Sequence, residues 1–239
     1  MAGMAWGSMA ANETPVWNDV SVTSINREDA GSLALPFATP DRIGVQQMSS
    51  SPYAISLNGN WKFNWVPVPD KAPKGYEQPG YDVSQWDDIT VPNPWQIFAV
   101  RNGKNWDKPL YCNVIYPFTY NDSTYSLLDH RPDNYTYNDA MINPVGSYRR
   151  SFNVPADWKG RRIYLRFNGV GHGATVWVNG KEVGYTEDSY LPAEFDITDA
   201  VCPGENTLAV QVFRFSSGSF LECQDYWRLT GIMRDVYLW

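Results

Sequence analysis

Val176-Trp177-Val178-Asn179-Gly180-Lys181-Glu182-Val183 is the stretch on which the fold turns. Two β-rich runs flank an Asn-Gly pair. A two-residue type I′ turn needs positive φ at both central positions, which these two residues tolerate best. The stretch is therefore read as a tight β-hairpin. Working outward, residues 146–154, 161–167 and 174–178 on one side, and 182–185, 206–213 and 232–239 on the other, alternate or are rich in β-formers. Further upstream, Ser56-Leu57-Asn58-Gly59-Asn60-Trp61-Lys62-Phe63-Asn64-Trp65-Val66 puts Trp61, Phe63 and Trp65 on one face of a half-buried strand. No helix longer than about two turns is expected. Many short strands separated by Gly, Pro and Asn turns predict an all-β jelly-roll β-sandwich.

The remaining segments are irregular. Residues 1–16 read as a disordered start or cloning remnant, and 17–55 as an irregular segment packing on the sandwich. The sandwich itself spans 56–239. Within it, 67–87 holds four prolines and reads as a surface connection, with a helical turn expected near 81–86. Residues 118–142 show no period and form an insertion loop of a length that is usually functional.

Composition narrows the function classes. The net charge of −7 argues against a nucleic-acid partner, which needs a basic stripe to neutralise phosphates. No 18-residue apolar run exists to span a membrane, and the first residues lack the basic and apolar regions of a signal peptide. Two histidines, His130 and His172, and no CxxC motif leave little basis for a zinc site. Cys112, Cys202 and Cys223 are read as free buried thiols, with a disulfide between two of them the alternative. Trp and Tyr make up 26 of the 36 aromatics, and such rings suit sugar stacking or a sandwich core. Alternation assigns Trp61, Trp65 and Trp177 to the core.

Motifs for catalysis are weak. Gly169-Val170-Gly171-His172-Gly173 precedes a strand rather than a helix, so no anion site is expected and His172 reads as an exposed turn residue. No G-x-S-x-G elbow occurs. Glycoside hydrolysis needs two carboxylates flanking the bond. The candidates, Glu187–Asp188 and Glu222 with Asp225, read as turn or hydrogen-bonding groups. Residues 214–232 differ from a simple connection: they join two strands yet crowd charges, an amide and aromatics. They are read as a polar site at the sandwich rim, the alternative being a solvated loop.

The runs NPVGSYRRSFNVPADWKGRRIYLRFNGV (143–170), VWVNGKEVGYTEDSYLPAEFDIT (176–198), CPGENTLAVQV (202–212) and SFLECQDYWRLTGIMRDVYLW (219–239) resemble the N-terminal sugar-binding domain of glycoside hydrolase family 2. SLNGNWKFNW, ITVPNPWQ and YCNVIYPF resemble its β-galactosidase branch. The resemblance covers about Trp17 to Trp239 and implies a galactose-binding-domain-like jelly roll. In that family an immunoglobulin-like domain and a (β/α)₈ barrel follow, and the barrel carries both catalytic glutamates. It implies no catalytic residue in this chain, which would be the non-catalytic sugar-binding domain of a β-galactosidase-like enzyme and inactive alone. The alternative is a free-standing carbohydrate-binding module without hydrolase activity.

The resemblance also carries over single residues. The asparagine of the family's Y-T-N-V-T-Y-P motif falls on Asn113, whose amide would meet sugar hydroxyls. The second aspartate of L-E-D-Q-D falls on Asp225, implied to hold sodium and a sugar hydroxyl, with other ligands from the barrel. Glu222, Gln224, Trp227 and Arg228 would support that loop. No cofactor is expected in this domain alone; sodium, and magnesium in the barrel, are implied by the family. Implied partners are a β-galactoside or related oligosaccharide, the immunoglobulin-like and barrel domains, and a homo-oligomer. A bacterial periplasm or cytoplasm fits the resemblance equally. Cys223 stands where the motif has its first aspartate, Phe215-Ser216-Ser217-Gly218-Ser219 where W-S-D-G-S is usual, and Tyr190 where an arginine follows E-D-S. The loop 118–142 is longer than usual.

Overall fold

Period-two alternation builds the molecule. The computed structural model describes residues 14–31, 35–40, 50–112, 116, 120–121, 126–127, 143–222 and 224–239. Its strands are β1 (Ser24–Ile25), β2 (Ile55–Ser56), β3 (Gly59–Val66), β4 (Asp87–Val91), β5 (Asn93–Pro94), β6 (Leu110–Cys112), β7 (Tyr120–Asn121), β8 (Ser126–Leu127) and β9 (Val145–Val154). They continue with β10 (Tyr164–Phe167), β11 (Val170–Gly171), β12 (Gly173–Val178), β13 (Lys181–Thr186), β14 (Ala193–Asp196), β15 (Gly204–Phe213), β16 (Tyr226–Arg228), β17 (Gly231–Ile232) and β18 (Val236–Leu238). A seven-stranded sheet runs β1-β13-β12-β15-β9-β3-β4, and a four-stranded sheet runs β14-β10-β18-β2. Val176, Val210 and Val212 of the first join Leu165, Phe195 and Leu238 of the second in one buried cluster. This is the expected β-sandwich. Burying each such side chain stabilises the fold by about 1.5–3 kcal/mol.

The hairpin forms as read. Asn179 and Gly180 take φ of 52° and 83° between β12 and β13. Trp61 and Phe63 are buried, and Trp65 packs against the core from a partly buried position. Trp177 departs from expectation. Its neighbours Val176 and Val178 point inward, so alternation turns Trp177 to the outer face, where it is only partly buried beside Tyr76. Close approach also shapes the core. A Cβ on Gly146 would lie 2.7 Å from Phe63 and 2.8 Å from Trp95, so only glycine fits between those rings.

Two elements differ from the sequence reading. A helix, α1 (Trp95–Asn102), runs just over two turns and buries Trp95, Gln96 and Ala99. It has no regular apolar stripe, so no helical periodicity announced it. The helical turn expected at 81–86 is a single hydrogen-bonded turn, Trp86 N–H to Val83 O; the 3₁₀ turn sits instead at Pro69–Lys71. The 67–86 arm does not merely cross the surface. It lies on the outer sheet face, where Arg149 donates to the carbonyls of Tyr76, Gln78 and Pro79. Of the insertion 118–142, only the pairing of β7 with β8 lies within the described residues.

Candidate functional site

The rim segment between β15 and β17 is anchored first at its ends. Arg214, fully buried, pairs with the buried carboxylate of Asp107. The same carboxylate accepts from Trp95 Nε1 at 3.2 Å and Gln96 Nε2 at 3.0 Å, both on α1. Gln96 Oε1 in turn accepts from the Thr230 N–H at 2.9 Å. Residues 214 and 230 are thus tied to one helix. Removing one partner of such a pair strands a buried charge and costs about 3–5 kcal/mol.

The middle of the segment is held by two carboxylates that face inward. Glu187, 3% exposed, accepts from Tyr185 Oη at 2.5 Å, Ser217 Oγ at 2.8 Å and the Gly218 N–H at 2.7 Å. Burial pushes its carboxyl above the ordinary range, against the pull of those three donors. Glu222 lies 3.0 Å from His172 Nδ1 through one oxygen and accepts from the Ser189 N–H at 2.8 Å through the other. His172 is therefore not an exposed turn residue. It is 2% exposed, with the rings of Tyr190 and Phe215 beside it. Its flanking glycines, Gly171 and Gly173, carry no side chains to compete for the space. Ser189 Oγ meets the same Nδ1 at 3.1 Å. Serine and acid share one ring nitrogen, so no proton can pass between them through the imidazole, and the trio is not a nucleophilic triad.

The tip points outward. Asp225 is exposed, and one of its oxygens accepts from the Tyr111 hydroxyl. Tyr111 and Trp227 face each other across the β6–β16 pair, 48% and 57% exposed, with ring centroids 5.9 Å apart. Trp227 thus contributes an exposed ring rather than a brace. The brace is Arg228, 2% exposed, which donates to the carbonyls of Glu222 and Gln224 and lies 4.3 Å over the Tyr226 ring. Tyr226 Oη adds a bond to Glu222 O at 2.8 Å. Gln224 is exposed, its amide 3.4 Å from Leu221 O. Asn113 and Cys223 lie outside the described residues. Cys202 is exposed and free, which corrects its reading as a buried thiol.

The arrangement offers one accessible carboxylate between two aromatic faces on a braced loop. Among the described residues, no group of three His, Cys, Asp or Glu side chains converges to hold a metal. The Asp225 carboxylate is a hard oxygen donor of the kind that suits a sodium ion. Sequence reasoning reached Asp225, Glu222 and Arg228 but missed Tyr111, Asp107 and Gln96. Asp107, in the run Asn105-Trp106-Asp107-Lys108-Pro109, reads as an ordinary turn acid until α1 is placed beside it.

Comparison with known proteins gives a consistent picture. The profile described as "Glycosyl hydrolases family 2, sugar binding domain" matches residues 54–239. A β-galactosidase of Priestia megaterium is 40% identical over 230 residues, covering 96% of this chain and 21% of that protein. A β-galactosidase of Halalkalibacterium halodurans is 40% identical over 221 residues, covering 92% of this chain and 20% of that one. Among solved structures, Bacteroides uniformis β-glucuronidase 2 superposes with a TM-score of 0.53 at 25% identity, covering 77% of this chain and 17% of that chain. A family 2 member from Bacteroides cellulosilyticus gives 0.50 at 27% identity, covering 78% and 20%. The chain spans about a fifth of the length of the curated relatives it matches.

Proposed function

The chain belongs to glycoside hydrolase family 2, whose sugar-binding domain it forms, and from that premise we propose that it serves as the non-catalytic N-terminal domain of a β-galactosidase-type enzyme. In this reading the rim segment closes the edge of a catalytic site carried by a following barrel. Asp225 supplies an oxygen to sodium and accepts from a sugar hydroxyl, and Asn113 offers its amide to the same sugar. Glu222 and Arg228 hold the loop that presents Asp225. Magnesium belongs to the barrel.

The observation that carries the reading is the exposed Asp225 carboxylate, braced from behind by Arg228 and flanked by Tyr111 and Trp227. The inward-facing bonds of Glu187 and Glu222 support a positioning rather than a catalytic part. The test is Asp225→Asn in the enzyme that contains this domain, with β-galactoside turnover followed against sodium concentration. Losing a charged oxygen ligand is expected to raise KM about tenfold or more and to abolish the sodium response. An unchanged KM and sodium response would remove Asp225 from the site. A reading frame ending just after Trp239 would remove the enzyme itself.

A further inference from the structure

A cleft of about 420 Å³ lies on the outer face of the seven-stranded sheet, lined by no residue of the rim segment 214–232. Strand register sets its floor. Gly173 pairs with Phe213, Thr175 with Gln211 and Trp177 with Ala209, so Thr175, Trp177, Gln211 and Phe213 share the face opposite the core. At one end Trp17 stacks on Phe213, with centroids 5.4 Å apart and planes at 23°. At the other end stands Trp177, whose ring meets the edge of Tyr76 at 6.1 Å. Four residues of strand separate the two aromatic ends, about 13 Å.

Polar groups occupy the space between. The Thr175 hydroxyl and Gln211 amide lie on the floor, Glu182 stands opposite Trp177, and Asp70 and Lys74 reach in from the 67–86 arm. None of these five side chains has a hydrogen bond or ion pair with another described residue, although Thr175 is only 5% exposed. Gln211 is half-buried and the Thr175 hydroxyl keeps contact with solvent, so both polar groups are open to a ligand in the cleft.

We propose that this cleft binds a short neutral oligosaccharide. Pyranose rings present an apolar face and a rim of hydroxyls that both donate and accept. Trp17 and Trp177 offer flat surfaces for the faces, while Thr175, Gln211 and Glu182 offer acceptors and donors for the hydroxyls. A purely apolar ligand would leave the floor groups unmet. An anionic glycan would meet two carboxylates against one ammonium. The ligand class rests on the function proposed above, but no rim residue takes part.

The test titrates this chain with galactotetraose, by calorimetry and tryptophan fluorescence. Saturable binding is expected with a Kd of about 1 mM, as suits an open cleft. Gln211→Ala and Glu182→Gln should each weaken it about tenfold while leaving the melting temperature and far-ultraviolet circular dichroism unchanged. A galacturonate oligomer of the same length should bind at least about tenfold more weakly; equal binding overturns the neutral-ligand assignment. No saturation by about 50 mM overturns the cleft and leaves the rim reading standing, since the rim lacks its other ligands in this chain. Binding that survives both cleft substitutions but is lost in Asp225→Asn belongs to the rim and likewise overturns the cleft.

Discussion

Glu187 shows how far a single residue can be read. In the sequence it stands in Thr186-Glu187-Asp188-Ser189 and reads as a hydrogen-bonding acid near a strand end; in the structure it is the buried anchor of Ser217 and Gly218. Burial raises its carboxyl above 4.5, so the folded state holds that proton more tightly than the unfolded chain does. Between 4.5 and the raised value the folded state therefore binds more protons. This carboxyl's contribution to stability is full below that window and is lost as pH rises through it. Glu187→Gln should flatten the fall in melting temperature across that window, measured by thermal unfolding from about pH 4 to 7. An unchanged slope would put the dependence on another group. His172 was less legible, because glycine neighbours suggest an open turn. What buries it is contact with residues 187–190 and 215–222, which lie remote in the chain.

At the scale of elements, strands were legible and their supports were not. Alternation marks β3, β9, β12, β13 and β15 because each has one face in a dry core. The 67–86 arm and α1 have no such period, since each is held by long-range contacts to Arg149 or Asp107. The β12–β13 hairpin joins both kinds of information. Asn179 adopts the positive φ its turn demands, and its side chain also staples neighbouring segments. Nδ2 donates to Ala200 O at 2.9 Å and Asn206 Oδ1 at 2.8 Å, and Oδ1 accepts from the Thr207 N–H at 2.8 Å. Asn179→Ala loses three hydrogen bonds and a residue type suited to that φ, and should cost about 2–4 kcal/mol. Urea unfolding checks this: a shift below about 0.5 kcal/mol would mean the turn alone, not the staple, holds the hairpin.

At the scale of the whole molecule, fold and site diverge. The two sheets of the sandwich close on one core. The rim presents the Asp225 carboxylate outward on a braced loop. What that carboxylate faces is implied only by the family resemblance, since no spacing in the chain distinguishes a domain edge from a solvated loop. It also leads to a sharp expectation about activity. Hydrolysis of a β-galactoside needs two carboxyl groups, about 5–5.5 Å apart for retention or 6.5–9.5 Å for inversion, both open to the sugar. Here Glu187 is enclosed by Tyr185, Ser217 and Gly218, and Glu222 is committed to His172 and Ser189, which leaves Asp225 as the accessible acid among the described residues of the rim segment 214–232. This chain on its own should therefore release no nitrophenol from a nitrophenyl β-galactoside above the buffer blank over hours of incubation. Turnover that disappears in Asp225→Asn would show that the rim performs chemistry by itself and that its part is catalytic rather than presentational. Turnover that co-purifies with the chain and is unaffected by that substitution would place the chemistry on other acids of this chain and overturn the expectation.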